Sequence, residues 1–209
     1  MISTPAATLL LATSNPGKRA EFANLLPPTI RVLGLADVSV DLPPEDGDSF
    51  AQIAAVKAAA ASLQTGLLTL ADDSGLEVDA LAGGPGVRSA RFAGEPTSDE
   101  QNRHALLDVL AGVPSGQRGA RFRCAIALAR AGTVVATAEG TCEGSIGLAP
   151  RGTFGFGYDP IFVLPDNRTM AELESAEKNQ ISHRARAYQA ILPRLFGDLG
   201  FSIDAEAGS

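Results

Sequence analysis

Residues 120–146 read ARFRCAIALARAGTVVATAEGTCEGSI: two long apolar runs broken only at Ala131-Gly132. Ala120–Arg130 and Thr133–Ile146 are predicted as strands, and a two-residue link containing glycine joins strands as an antiparallel hairpin. Outward from the hairpin the pattern changes. Leu67–Ala71 (LLTLA) is a short strand running into Asp72-Asp73-Ser74-Gly75. An alanine-rich helix, Ser49–Leu63, precedes it and is stopped near Gly66. Further back, the strand Ala7–Thr13 (ATLLLAT) leads through Ser14-Asn15-Pro16-Gly17 into a helix with Phe22, Leu25 and Leu26 on one face. Pro27-Pro28 ends that helix, and Ile30–Leu35 is another strand. Downstream of Gly83-Gly84-Pro85-Gly86, a helix starts at Thr97 or Ser98. After the hairpin come a glycine-aromatic loop (Arg151–Asp159), a strand (Ile161–Leu164) and helices over Met170–Ala176 and Ser182–Phe196. Strands alternating with helices, plus one long hairpin, predict an α/β fold around a long mixed central sheet with flanking helices. The expectation is one domain over residues 1–204 with a frayed tail at 205–209.

The composition narrows the function. The chain has 209 residues, 45% hydrophobic and 20% charged, which is ordinary for a globular protein. A net charge of −7 argues against a nucleic-acid polymer as partner, since phosphate backbones need a basic stripe. A small anion needs only a locally basic pocket. The N-terminus has no basic region followed by an apolar core, and no window approaches the roughly 18 apolar residues of a membrane span. Cys124 and Cys142 have neither metal spacing nor a disulfide framework, and read as small buried hydrophobes. A cytoplasmic protein with no membrane partner is expected.

Three segments carry chemistry. Thr13-Ser14-Asn15-Pro16-Gly17-Lys18 sits between a strand and a helix. There, free N–H groups and the helix dipole suit an anion and Lys18 adds a full positive charge. The spacing is not that of a Walker A loop, and the same residues also read as an N-capping turn with a surface lysine. Asp72-Asp73-Ser74-Gly75 sets two carboxylates side by side, suited to hold Mg²⁺ through oxygen or to deprotonate a water. It equally reads as a turn at the end of a strand. A lone D-S-G, with no repeat to supply a second, excludes an aspartic protease. The third segment pairs Phe156-Gly157-Tyr158-Asp159 with Lys178, Ser182, His183 and Arg184. Aromatic rings offer a stacking face for a base and cations offer donors. Core packing and helix capping account for each of these residues taken singly.

Together these segments resemble the inosine triphosphate pyrophosphatase family. The resemblance rests on SNPGK (14–18), ADDSGLEVDALAGGPGVRSARFAG (71–94), GFGYDPIF (155–162) and EKNQISHR (177–184), in the family's order. It implies a homodimer whose two lobes enclose a nucleotide cleft. It also implies hydrolysis of ITP, dITP and XTP to the monophosphate plus pyrophosphate, with Mg²⁺ as cofactor. By position, Thr13, Ser14, Asn15, Pro16, Gly17 and Lys18 would line the triphosphate site, with Lys18 on the phosphates. Asp73 would be proton acceptor and metal ligand, Asp72 its neighbour in both roles, and Ser74 would touch substrate. Phe156, Gly157, Tyr158, Asp159, Lys178, His183 and Arg184 would hold the base.

One departure stands out. The family's helix after the acidic loop usually reads like T-F-x-E-N-A, and here it is Ser49-Phe50-Ala51-Gln52-Ile53-Ala54. A neutral Gln52 in place of a metal-binding glutamate implies weak Mg²⁺ binding, with Glu45, Asp46 or Asp48 as possible substitutes. It also raises the alternative of a nucleotide sensor that binds without turnover.

Overall fold

The computed structural model describes residues 7–200; the expected tail at 205–209 lies outside them. In chain order the elements are β1 (Ala7–Leu11), α1 (Pro16–Leu25), β2 (Ile30–Gly34), α2 (Phe50–Thr65), β3 (Leu68–Val78), α3 (Asp99–Val109), β4 (Gly119–Arg130), β5 (Thr133–Ile146), β6 (Phe162–Val163), α4 (Ser175–Ile181) and α5 (His183–Leu199). They build one six-stranded sheet in the order β2-β1-β3-β4-β5-β6. β1 is parallel to β2 and β3, and every later pairing is antiparallel. The sheet is mixed because helical crossovers join β1, β2 and β3, whereas a tight hairpin joins β4 to β5. Ala131 and Gly132 both take left-handed backbone angles (φ 48° and 82°), the geometry a two-residue hairpin link needs.

β3 differs most from expectation. It does not end at Ala71 but continues to Val78, pairing with β4 from Thr69↔Ala129 to Val78↔Ala120. The long partner strand offers ladder bonds to every residue of the polar stretch, so local turn chemistry loses to pairing. The expected helix at Met170–Ala176 also resolves differently. Met170–Glu172 is a single 3₁₀ turn, Leu173 is extended, and the helix begins at Ser175.

Strand alternation distributes the core. On one face Cys124, Ile126 and Leu128 of β4 pack with Phe22 of α1 and with Ala187, Tyr188, Ile191 and Leu195 of α5. On the other face Ala125, Ala127 and Ala129 meet Phe50, Ala54, Ala58 and Ala61 of α2. Small residues on both sides let α2 lie close against the sheet. A third cluster joins the outer half of the hairpin (Phe122, Cys142, Ile146) to Leu106 of α3, to Leu110 just after it, and to Tyr158, Ile161 and Phe162. The first two clusters and the third form two lobes, and the space between them is the candidate site. Both cysteines are buried and unpaired, as their sequence setting predicts. Among the described residues no helix is long and apolar enough to cross a membrane.

Candidate nucleotide site

A cavity of about 240 Å³ opens between the lobes, and all the chemistry-bearing segments reach it. Its floor is the middle of β3. Because successive side chains leave a strand on opposite faces, Asp72 and Asp73 cannot serve one ion together. Asp73 lines the cavity on the side of Glu45 and Lys57. It is 7% exposed, and among the described residues no side chain donates a hydrogen bond to it. Burial pushes its carboxyl up to about 6, with Glu45 and Asp72 adding repulsion and Lys18 and Lys57 opposing.

Asp72 takes the other face and is fully buried. Its Oδ2 accepts from Lys18 Nζ at 3.0 Å, Arg184 Nε at 3.4 Å and the Ser74 hydroxyl at 3.3 Å. Burial raises its pKa, but Lys18, Arg184 and Lys57 together outweigh that and hold the carboxyl well below the usual range. Asp72 does not line the cavity. Where Asp72 was expected to share catalysis and metal binding with Asp73, its observed contacts are those of a counter-ion to Lys18 and Arg184.

α1 starts where the sequence puts it. Asn15 caps it by accepting from the Lys18 N–H at 3.0 Å, with Pro16 at its first position. Thr13, Ser14, Asn15 and Lys18 face the cavity, so the capping turn is the same structure as the loop expected to receive an anion. Pro16 and Gly17 do not line it. Gly17 instead makes room for a ring. A Cβ there would lie 2.5 Å from Phe156, so the aromatic face rests on bare backbone.

Beneath Phe156 lies a closed set of buried charges. Glu21, one turn after Lys18, accepts from Lys178 Nζ at 2.7 Å and also from Arg184 Nη1. Lys178 further donates to Asp159 at 2.5 Å, and Arg184 Nη2 donates to Ser74 Oγ at 2.8 Å. Burial raises the Glu21 carboxyl, yet Arg184 and Lys178 pull it below its ordinary value. Three carboxylates (Glu21, Asp72, Asp159) thus balance three cations (Lys18, Lys178, Arg184), which makes their burial tolerable. The Phe156 ring lies over two of these cations, with Lys178 Nζ 5.0 Å and Arg184 Cζ 5.7 Å from its centre. His183 stacks on Phe122 at 4.8 Å, and its Nδ1 has no protein partner. Burial, with Arg184 and Lys178 nearby, holds its pKa well below the ordinary value, so the ring is neutral.

The structure brings Thr13, Ser14, Asn15, Lys18, Asp73, Ser74, Phe156, Gly157, Tyr158, Asp159, Lys178, His183 and Arg184 to one cavity. Among the residues it adds that the sequence did not single out for this site are Lys57, Arg91, Asp99 and Asn102 in the lining, with Glu21 behind it in the charge cluster. Lys57 is buried on α2 with its Nζ 2.7 Å from Glu45. A lysine inside an alanine-rich helix was the available signal. Among the three acidic substitutes, Glu45 is the one that lines the cavity. Gln52 does not; its Oε1 accepts the Asp48 N–H at 3.1 Å, outside the helix start. Gln52 therefore gives no ground for expecting weak metal binding, because position 52 does not face the cavity.

Among the described residues, no three His, Cys, Asp or Glu side chains form a preformed metal cage. Two carboxylates, Asp73 and Glu45, do face one cavity beside two lysines. That fits a magnesium site completed by substrate phosphates and water.

Residues 9–194 match the Ham1 family profile. The chain belongs to the Ham1 family. A dITP/XTP pyrophosphatase of Desulforamulus reducens is 52% identical over 198 residues, covering 90% of this chain and 96% of the relative. One from Bacillus subtilis is 46% identical, covering 87% and 93%. The structure of a HAM1 protein from Coxiella burnetii superposes with a TM-score of 0.82 at 40% identity, covering 91% of this chain and 99% of that one. In this Ham1 chain the four motifs that carried the resemblance are the four segments that meet at the cavity.

Proposed function

We propose that this protein hydrolyses deaminated purine nucleoside triphosphates (ITP, dITP and XTP) to the nucleoside monophosphate and pyrophosphate. One observation carries the reading: an unpaired, raised carboxylate, Asp73, lines one cavity together with Lys18, Lys57 and the aromatic Phe156. Lys18 and Lys57, with the free N–H groups at the start of α1, would receive the triphosphate. Asp73 would take the proton of the attacking water, a role its raised affinity for protons suits. Asp73 and Glu45 would hold Mg²⁺, which supplies charge neutralisation on the phosphates. Positioning and charge balance are most of what a protein contributes to phosphoryl transfer.

The base would lie against Phe156. The first N–H groups of α5, at His183 and Arg184, have no partner within their helix and suit the 6-keto oxygen of hypoxanthine or xanthine. Adenine carries an amino group there and would leave those donors unpaired. The Arg184 guanidinium itself is engaged by Glu21, Asp72 and Ser74, so it braces the pocket rather than reaching into it. With the family we also place the protein as a homodimer acting in the cytoplasm on free nucleotides. Pyrophosphate release from ITP and ATP with Mg²⁺ tests the reading. Fast ITP cleavage, slow ATP cleavage and an inactive Asp73→Asn variant are expected. Binding of ITP without cleavage at any Mg²⁺ concentration would replace it with a sensor.

A further inference from the structure

The aromatic loop that presents Phe156 is held by a helix that none of the motifs above includes, and two residues of that helix, Asp99 and Asn102, also line the cavity. Gly157 takes left-handed backbone angles (φ 57°), and both its polar backbone groups are captured by side chains of α3. Asp99 accepts the Gly157 N–H at 2.7 Å and Arg103 Nη1 donates to the Gly157 carbonyl at 2.7 Å. Residues 99 and 103 are one turn apart, so they share a helix face. The same face carries Asn102, which is 2% exposed. Its Oδ1 accepts the Ala93 N–H at 2.8 Å and its Nδ2 donates to the Ala90 carbonyl at 3.0 Å. Ala90 also lines the cavity, and Tyr158 ties the aromatic loop to the same stretch by donating to the Ser89 carbonyl at 2.8 Å.

We propose that α3 is the positioning element of the base pocket: Asp99 and Arg103 clamp Gly157 and thereby set the Phe156 ring over Gly17, Lys178 and Arg184. The inference rests on the function proposed above, with the ring as the platform for the base. The two clamp residues are positioning residues, acting through Gly157. None of the triphosphate-side groups, Lys18, Lys57, Glu45 or Asp73, bonds to α3, so cutting the clamp uncouples the two halves of the substrate. Base recognition weakens and phosphate recognition stays.

Calorimetry in metal-free buffer with ITP and with inorganic triphosphate, which has no base, separates the halves without turnover. Asp99→Ala is expected to weaken ITP binding about ten-fold, the loss of much of one base–aromatic stack. Binding of inorganic triphosphate is expected to stay within about two-fold of wild type, the scatter of a single weak contact. Asp99→Asn keeps an acceptor oxygen for the Gly157 N–H and should restore most of the affinity. In a Phe156→Ala background, Asp99→Ala should add no further loss, because a positioning residue has nothing left to position. Arg103→Ala cuts the other bond and serves as the second variant if Asp99→Ala does not fold. Equal losses for ITP and inorganic triphosphate, or additive losses with Phe156→Ala, would overturn the clamp. Absence of ITP turnover in the wild type would instead refute the hydrolase reading, and the binding ratios would still decide the clamp.

Discussion

Asp72 and Asp73 differ by one position on one strand, and that position decides everything about them. Asp73 holds its charge at a cost, in a site where burial outweighs the lysines. Its folded pKa of about 6 lies above the ordinary 3.8, so the folded protein binds more protons than the unfolded chain between those values. Stability of the metal-free protein should therefore rise as pH falls through 6 towards 4. Asp73→Asn removes that cost, so at pH 8 in EDTA it should be more stable than wild type, by about 3 kcal/mol from the size of the shift. The difference should close by pH 4, while pyrophosphate release is lost. Thermal melts across that range check it, and a gap that widens on acidification would contradict it.

Asp72 has the opposite sign. Its depressed pKa means that its contribution is present at every pH above the ordinary carboxylate range and is lost only in strong acid. Asp72→Asn leaves the buried Arg184 and the half-buried Lys18 with less counter-charge, which should cost about 3–5 kcal/mol, as breaking a buried ion pair does. Denaturant titration at pH 7 measures this; a loss below one kcal/mol, the ceiling for a surface pair, would show that the cluster tolerates the deletion.

Between elements, two glycines set how closely helices approach. At Gly140 of β5 an added Cβ would meet the His183 carbonyl at 2.1 Å and the Ala187 N–H nitrogen at 2.4 Å, both backbone of α5. Gly140→Ala should push α5 off the sheet and destabilise by about 1–3 kcal/mol, as overpacking does. Gly116→Ala, where nothing lies within 4 Å, is the neutral comparison in the same melts. At Gly17 the clash is with the Phe156 ring. Gly17→Ala should raise KM for ITP several-fold, towards the loss of a base stack, with stability little changed because the ring can move into the cavity. An unchanged KM would mean that the ring does not carry the base.

Across the whole molecule, Asp73 and Glu45 face a cavity rather than a folding core. EDTA should abolish pyrophosphate release yet lower Tm by no more than about 4 °C, the shift that one kcal/mol of lost ligand stabilisation produces in a chain of this length. Loss of folding on chelation would make the metal structural and overturn the assignment of those two carboxylates.

Hydrophobic patterning and turn chemistry act over a few residues, and what depends on them was legible in the sequence. The hairpin at 119–146, the crossover helices, the Asn15-capped turn and the buried cysteines all follow from alternation, glycine and capping preferences. The motif segments likewise named most side chains that meet at the cavity. Three features depend on neighbours distant in the chain. β3 passes through Asp72–Gly75 because β4 supplies its ladder, and that pairing separates two carboxylates that adjacency alone suggested would act together. Gln52 looked like a lost ligand until its helix was placed with position 52 outside the cavity. Glu21, Lys57 and the α3 clamp are invisible locally, because a buried charge declares its role only when the fold brings its partner within hydrogen-bonding distance.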